Sequence, residues 1–157
     1  MENDTEQVKA WETERQRLIG AGAKNRRLFA CAVNWMRLLE DGKDLLPYFR
    51  ERDCRKIGIY GAGDLAEMLI REMNRKKEVE VRWLLDRRAD VFREKLGLPV
   101  HFPEEYAALE DVDMVVVTAI TSFDAISEML LQVRWEMPVV SLEEIIRKRI
   151  GEEYYEQ

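Results

Sequence analysis

The stretch of residues 56–73 constrains the fold of this chain more than any other. A short apolar segment at 57–60 leads into Gly61, Ala62 and Gly63, and apolar residues at helical spacing follow at once. Gly61 allows the chain to turn sharply off a strand, and Gly63, which lacks a Cβ, allows a ligand phosphate to approach the backbone. Ala66 is small enough for the helix to pack closely on the strand. The stretch therefore predicts a strand, a tight turn and a helix whose N-terminus could hold an anion.

A second strand is predicted at 79–85, and it is followed directly by Asp86. Asp86 comes 23 residues after Gly63, about where a dinucleotide-binding unit places the carboxylate that binds a ribose hydroxyl. Two interpretations stay open at this point. Either the glycines and Asp86 hold a nucleotide, or the glycines only form a tight turn and Asp86 only caps the turn that follows.

The rest of the chain continues the alternation of strands and helices. Three further strands are predicted, each followed by a helix, with the strands at 98–101, 113–120 and 138–142. The fourth strand is a run of β-branched residues without alternation, which is typical of a central parallel strand covered on both faces. The sequence therefore predicts an α/β fold with a five-stranded parallel Rossmann-like sheet, in the order 3-2-1-4-5 along the chain, and helices on both faces.

Residues 1–52 are predicted to form an N-terminal helical extension, and residues 53–157 the Rossmann-like nucleotide-binding domain. The extension reads as a charged helix at 5–19, an interruption at 20–22, a second helix at 23–40 and a short third helix at 44–52. These helices could cover the sheet or form a homodimer interface. The first, highly charged helix is the better candidate for an outside partner.

Composition excludes several classes of function. A length of 157 residues suits one compact unit, and a net charge of −6 argues against nucleic acid as the main partner. We expect no signal peptide and no membrane span, because no long apolar run is present. Two cysteines and one histidine make a disulfide framework or a nitrogen/sulfur metal site improbable. A cytoplasmic location is the default expectation.

In a sheet of this kind, ligands bind in the crevice at the carboxyl ends of the strands. Asp64 is awkward there, because its carboxylate favours the helix N-terminus but would repel a pyrophosphate unless it points away. Thr121 or Ser122 could bind a ligand or simply cap the next helix. The candidate binding residues at this crevice are Gly61, Ala62, Gly63, Asp64, Asp86, Arg87, Thr118, Ala119, Thr121 and Ser122.

No catalytic set is recognisable in the sequence. The Tyr-x-x-x-Lys pair of short-chain dehydrogenases and epimerases is absent after the fourth strand, and so is a G-x-S-x-G nucleophile elbow. His101 could reach the rim of the crevice, although a loop or packing role fits it better. We therefore assign no catalytic residue, and we favour ligand binding over catalysis as the predicted function.

Several segments resemble a group of small bacterial Rossmann-fold proteins described as nucleoside-diphosphate-sugar epimerase-like, which occur with surface-polysaccharide genes. The chain is also similar to the nucleotide-sugar-binding N-terminal domain of bacterial sugar acyltransferases, although the left-handed helix repeats of those enzymes are missing. The resemblance implies a nucleotide or nucleotide-sugar ligand at Gly61, Gly63 and Asp86. The matching segments are residues 59–66, 83–86, 97–100, 113–120 and 140–146.

Three functions follow as hypotheses. The first is a nucleotide-binding module, for a dinucleotide such as NAD or NADP or for a nucleotide-sugar, that acts with a polysaccharide-pathway enzyme. The second is an NAD(P)-dependent oxidoreductase or epimerase-like enzyme completed by another subunit. The third is a scaffolding domain that holds no ligand.

Overall fold

The structure, a computed structural model, describes residues 2–151 of the chain. Within residues 2–151 there are five α-helices: α1 (Glu2–Glu40), α2 (Leu46–Arg50), α3 (Asp64–Lys76), α4 (Phe123–Val133) and α5 (Leu142–Ile150). The strands are β1 (Lys56–Tyr60), β2 (Glu80–Leu85), β3 (Glu94–Lys95), β4 (Leu98–His101), β5 (Met114–Val117) and β6 (Val139–Ser141). Two 3-10 helices span Pro103–Ala108 and Ile120–Ser122.

All strands belong to one mixed sheet in the order β3-β4-β2-β1-β5-β6, and every pairing in it is parallel except that of β3 with β4. The α/β class is confirmed, but the predicted five-stranded, wholly parallel sheet is wrong, because a sixth, antiparallel strand, β3, extends the order beside β4. The five predicted strands lie in the order β4-β2-β1-β5-β6, which is the predicted 3-2-1-4-5. The added strand β3 contains only two residues. It folds back on β4 through Leu96 and Gly97, which have φ values of +51° and +82° and so suit a two-residue hairpin turn.

Each face of the sheet carries its own apolar cluster. Ile57 and Ile59 of β1 point to a cluster that includes residues of α1, α2, α3 and α5. Tyr60 points to the opposite face, which is covered by α4 and by the 3-10 helix Pro103–Ala108. The period of two along β1 thus explains why helices lie on both faces. Gly58 is required on the second face, because a Cβ there would lie 2.3 Å from the Trp83 ring.

The N-terminal segment differs from the prediction in its continuity. Residues 2–40 form one helix, whereas the sequence predicted an interruption at Gly20, Ala21 and Gly22. A glycine in a helix interior costs only about 1 kcal/mol relative to alanine, and no proline breaks the backbone hydrogen bonds here. The predicted helix at 44–52 and the helix predicted after the strand at 98–101 are also corrected, since the first is confined to α2 and the second is the 3-10 helix Pro103–Ala108.

The C-terminal half of α1 is held to the body of the fold by a buried carboxylate. Glu72 of α3 is 2% exposed. Its carboxylate accepts hydrogen bonds from Trp35 Nε1 at 3.0 Å and from the Leu45 backbone N–H at 3.3 Å. Burial raises the pKa of Glu72, and the Trp35 hydrogen bond opposes that rise. At the protein surface, Arg27 of α1 forms a bidentate pair with Glu143 of α5.

Candidate functional site

The glycine turn lies at the carboxyl end of β1, in the middle of the sheet. Gly61 has a φ of +111°, and its N–H donates to the Leu85 carbonyl oxygen at 2.7 Å. A Cβ on Gly61 would lie 2.3 Å from Thr118 Oγ1. Conformation and close packing therefore both require glycine here. Ala66 is fully buried under the turn, in agreement with the small side chain that the sequence pattern demands.

Asp86 is brought directly to this turn. Its Oδ2 accepts from the Ala62 N–H at 2.9 Å, and its Oδ1 accepts from the Arg88 N–H at 2.8 Å. The side chain is half-buried, and its own N–H donates to the His101 carbonyl oxygen at 3.0 Å. Asp86 therefore links the ends of β1, β2 and β4. The sequence predicted its place at the crevice, but not its bond to Ala62.

The N-terminus of α3 faces open space. Gly63 is the N-cap residue, no side chain forms a capping hydrogen bond, and, apart from Gly63 and its two neighbours in the chain, no atom of residues 2–151 lies within 4 Å of the position that a Cβ on Gly63 would occupy. Asp64 is exposed in the first helical turn. The first N–H groups of a helix have no partner within the helix, so this end offers donors to an anion, with the Asp64 carboxylate beside them.

The residues that follow β5 differ in burial: Thr118 is buried, Ala119 and Thr121 are half-buried, and Ser122 is exposed. Thr118 is 5% exposed, and its hydroxyl donates to the Tyr60 carbonyl oxygen at 3.0 Å, so it ties β5 to β1. The half-buried Ala119 accepts from the Ser122 N–H at 3.1 Å. Ser122 is the N-cap residue of α4, but its side chain forms no capping hydrogen bond. Neither Thr121 nor Ser122 bonds to the glycine turn in residues 2–151.

The sequence prediction did not include Tyr60. Its phenol oxygen is buried and has no hydrogen-bond partner of good geometry among the described residues. Burial raises the pKa of Tyr60, and the neighbouring Arg87 guanidinium, itself on an exposed residue, opposes that rise. A polar aromatic residue immediately before the glycine turn was the sequence signal that could have pointed to it. An unsatisfied polar group therefore lies next to the crevice.

Metal ligation, thiol chemistry and membrane insertion are other functions that residues 2–151 could carry. Residues 2–151 bring together no group of three histidine, cysteine or carboxylate side chains that could hold a metal ion. Both cysteines are buried and free, and burial raises their pKa, to about 11 for Cys31 and about 12 for Cys54. No helix between residues 2 and 151 combines the length and the apolar character that crossing a membrane requires.

No protein-family model matches the sequence, and no curated protein shows significant similarity to it. The resemblance to epimerase-like proteins and to acyltransferase N-terminal domains therefore stays a prediction. A functional assignment therefore rests on the geometry at the carboxyl ends of β1, β2 and β5 alone.

Proposed function

We propose that the protein is a Rossmann-like module that binds a nucleotide, either a dinucleotide or a nucleotide-sugar, at the carboxyl end of β1. The observation that carries the proposal is the open space in front of Gly63 at the uncapped N-terminus of α3. Backbone N–H groups and the helix dipole favour a phosphate at such a position. Gly61, Ala62 and Gly63 would form the floor of the phosphate site, and Asp64 would lie at its exposed rim.

Asp86 is suited to the sugar part of such a ligand. An ionised carboxylate has about four acceptor positions on its two oxygens, and the backbone N–H groups of Ala62 and Arg88 use two of them. Ribose hydroxyls could donate to the remaining positions. The bond to Ala62 also holds the carboxylate beside the turn, so its position is fixed before a ligand arrives.

The groups around this floor give the ligand a polar wall. Arg87 follows Asp86 on the exposed side and could meet a second phosphate, while the unsatisfied Tyr60 phenol lies close to that guanidinium. Thr121 and Ser122 lie at the opposite end of the crevice, after β5. Together with the predicted resemblance, this favours a role beside an enzyme of sugar-nucleotide or surface-polysaccharide metabolism, to which the module would present its ligand.

The experiment is a thermal-shift titration against NAD, NADP, UDP-sugars and a UMP control. A ligand that binds only the folded state stabilises it by about 2.7 kcal/mol at a hundred times its Kd, which for a chain of this size raises Tm by roughly 5–10 °C. Gly63→Ala should remove the shift, because the added methyl group would occupy the phosphate position. Without ligand, the free energy of unfolding of that variant should be only about 1 kcal/mol lower than that of the wild type, since alanine is a poorer N-cap than glycine.

Gly20→Ala is the matched control, because it adds the same methyl group at an exposed helical site with nothing within 4 Å. It should keep the full ligand shift. Asp86→Ala is a poorer test, since it also removes the hydrogen bond to Ala62. A ligand-induced rise in Tm that survives in Gly63→Ala would contradict the proposed phosphate position. If none of the tested ligands raises the Tm of the wild type at millimolar concentration, the protein does not bind these nucleotides.

The bonds of Asp86 favour one second candidate, a scaffolding domain without a ligand. The carboxylate already bridges two backbone N–H groups, which is enough to explain it as a structural cap. In that case Asp86→Asn should lower stability, because its amide NH₂ would face a backbone donor, while no nucleotide would change Tm in either protein.

A further inference from the structure

Helix α1 carries two apolar stripes on opposite faces. The inward stripe includes Cys31, Trp35 and Leu38, which are buried against the body of the fold. Successive residues of an α-helix are about 100° apart, so Phe29 and Met36 point away from that body. The outward stripe keeps more than half of each side chain exposed: Val8 54%, Trp11 66%, Leu18 56%, Phe29 72% and Met36 60%.

The outward stripe follows a spacing of sevens. Val8, Phe29 and Met36 share one position of a heptad, and Trp11 and Leu18 share the position three residues later. Those are the a and d positions of a coiled coil. The stripe is interrupted in its centre, where the polar Arg15 and the small Gly22 occupy the a position. The pattern is therefore typical of a helix face that packs against another helix.

No other part of residues 2–151 covers the outward stripe. Every residue from 3 to 21 is exposed, on all sides of the helix. Helices in proteins gain most of their stability from packing an apolar face, and the apolar face of this half of α1 is exposed. The extended N-terminal half of α1 therefore needs an outside partner.

Charge along the helix identifies that partner. Residues 4–14 contain four acidic side chains and one lysine, whereas residues 15–26 contain four basic side chains and no acidic one. Two copies of the helix that run in opposite directions would place each acidic half beside a basic half. Two parallel copies would place like charges together, at a cost. The pattern is thus complementary to itself in the antiparallel sense.

We propose that two copies of this chain associate through the N-terminal part of the outward stripe of α1, from Val8 to Leu18, as an antiparallel helix pair. The a and d positions then align so that Trp11 of one copy meets Gly22 of the other, and Leu18 meets the aliphatic stem of Arg15. Gly22 has nothing within 4 Å of a Cβ position in the single chain. The second copy accounts for a glycine that otherwise only weakens the helix.

The first test is the mass of the full chain in solution by sedimentation equilibrium. The wild type should have twice the chain mass of 18.6 kDa, and Trp11→Glu with Leu18→Glu should have the single mass. Thr13→Glu with Gln16→Glu is the matched control, because it adds the same charges at exposed positions on the opposite side of the helix. The control should stay dimeric, and near-UV circular dichroism should show the same folded body in both variants.

The second test reads the direction of the pair by disulfide formation under mild oxidation. In the antiparallel register the two copies of position 15 lie about 5 Å apart along the axis, whereas the two copies of position 8 lie about 25 Å apart. Arg15→Cys should therefore cross-link and Val8→Cys should not. The native Cys31 and Cys54 are buried, so they should not contribute to the cross-link.

Four outcomes would overturn the proposal. A monomeric wild type at micromolar concentration would do so, as would a control variant that dissociates as completely as the Trp11 and Leu18 variant. Cross-linking of Val8→Cys would exclude the antiparallel arrangement. A monomer that binds vesicles of anionic lipid, with loss of binding in the Trp11 and Leu18 variant, would assign the stripe to a membrane surface instead. None of these results depends on whether the glycine crevice holds a nucleotide.

Discussion

Replacing Trp35 with phenylalanine should destabilise the protein more at about pH 8 than at about pH 4. The indole N–H donates to the buried Glu72 carboxylate at 3.0 Å, and the substitution removes that donor. A hydrogen bond to a charged group contributes about 1.5–3 kcal/mol, and one to a neutral group about 0.5–1.5 kcal/mol. The lost bond should therefore cost roughly 1 kcal/mol more when Glu72 is ionised.

The direction of this effect follows from the pKa of Glu72. Burial raises its folded-state pKa above the ordinary value of 4.5. The stability associated with this carboxyl is therefore fully present below that value, and it is lost as the pH rises through the folded-state pKa. Trp35→Phe removes a hydrogen bond that favours the ionised form, so it raises the folded-state pKa of Glu72 further. The free energy of unfolding of the variant should thus fall more steeply with pH than that of the wild type.

The measurement is urea unfolding of both proteins at the two pH values, with Trp83→Phe as the control. Trp83 is also buried, but its indole N–H donates to the Glu110 backbone carbonyl at 3.1 Å, an acceptor that does not titrate. The loss of ring volume is common to both variants and does not depend on pH. An equal cost of Trp35→Phe at both pH values, or the same pH slope in Trp83→Phe, would refute the reasoning.

Three further predictions concern the backbone and the thiols. Gly58→Ala should lower the free energy of unfolding by at least about 2 kcal/mol, measured by urea denaturation, because its Cβ would lie 2.3 Å from the Trp83 ring. Lys77→Gly should raise Tm and increase the free energy of unfolding by about 1 kcal/mol, because Lys77 ends α3 with a φ of +57°, a conformation that glycine adopts more easily than lysine. Cys31 and Cys54 should resist a thiol reagent at about pH 8 until the protein unfolds, since burial raises the pKa of both thiols; fast labelling of the folded chain would contradict this.

The sequence predicted best where local pattern and tertiary structure agree. The turn at Gly61 and the buried Ala66 could be anticipated, because backbone geometry leaves few residue types for those positions. The bond from Ala62 to Asp86 could not be anticipated, since it depends on how two strand ends meet. The same holds for Thr118, whose hydroxyl was a candidate ligand contact and instead donates to the Tyr60 carbonyl oxygen.

The errors at the level of elements have simple causes. Gly20 and Gly22 suggested a break in the N-terminal helix, but the cost of about 1 kcal/mol for each glycine does not by itself stop a helix. Strand β3 consists of Glu94 and Lys95, which have no apolar alternation for sequence analysis to detect. The 3-10 helix Pro103–Ala108 has helical start signals, and only the structure shows that it keeps the tighter geometry.

The short strand β3 also bears on how the protein behaves when it is crowded with copies of itself. An open strand edge offers unpaired N–H and C=O groups on which another chain can extend the sheet. Here β3 lies against β4, with Glu94 paired to Pro99 and Lys95 to Leu98. At this edge of the sheet the outermost strand is thus two residues long and charged, and it lies beside a strand that contains proline, while β6 forms the opposite edge. Deletion of residues 94–97 would uncover β4, and we expect the shortened protein to form fibrillar aggregates at concentrations where the full chain stays clear.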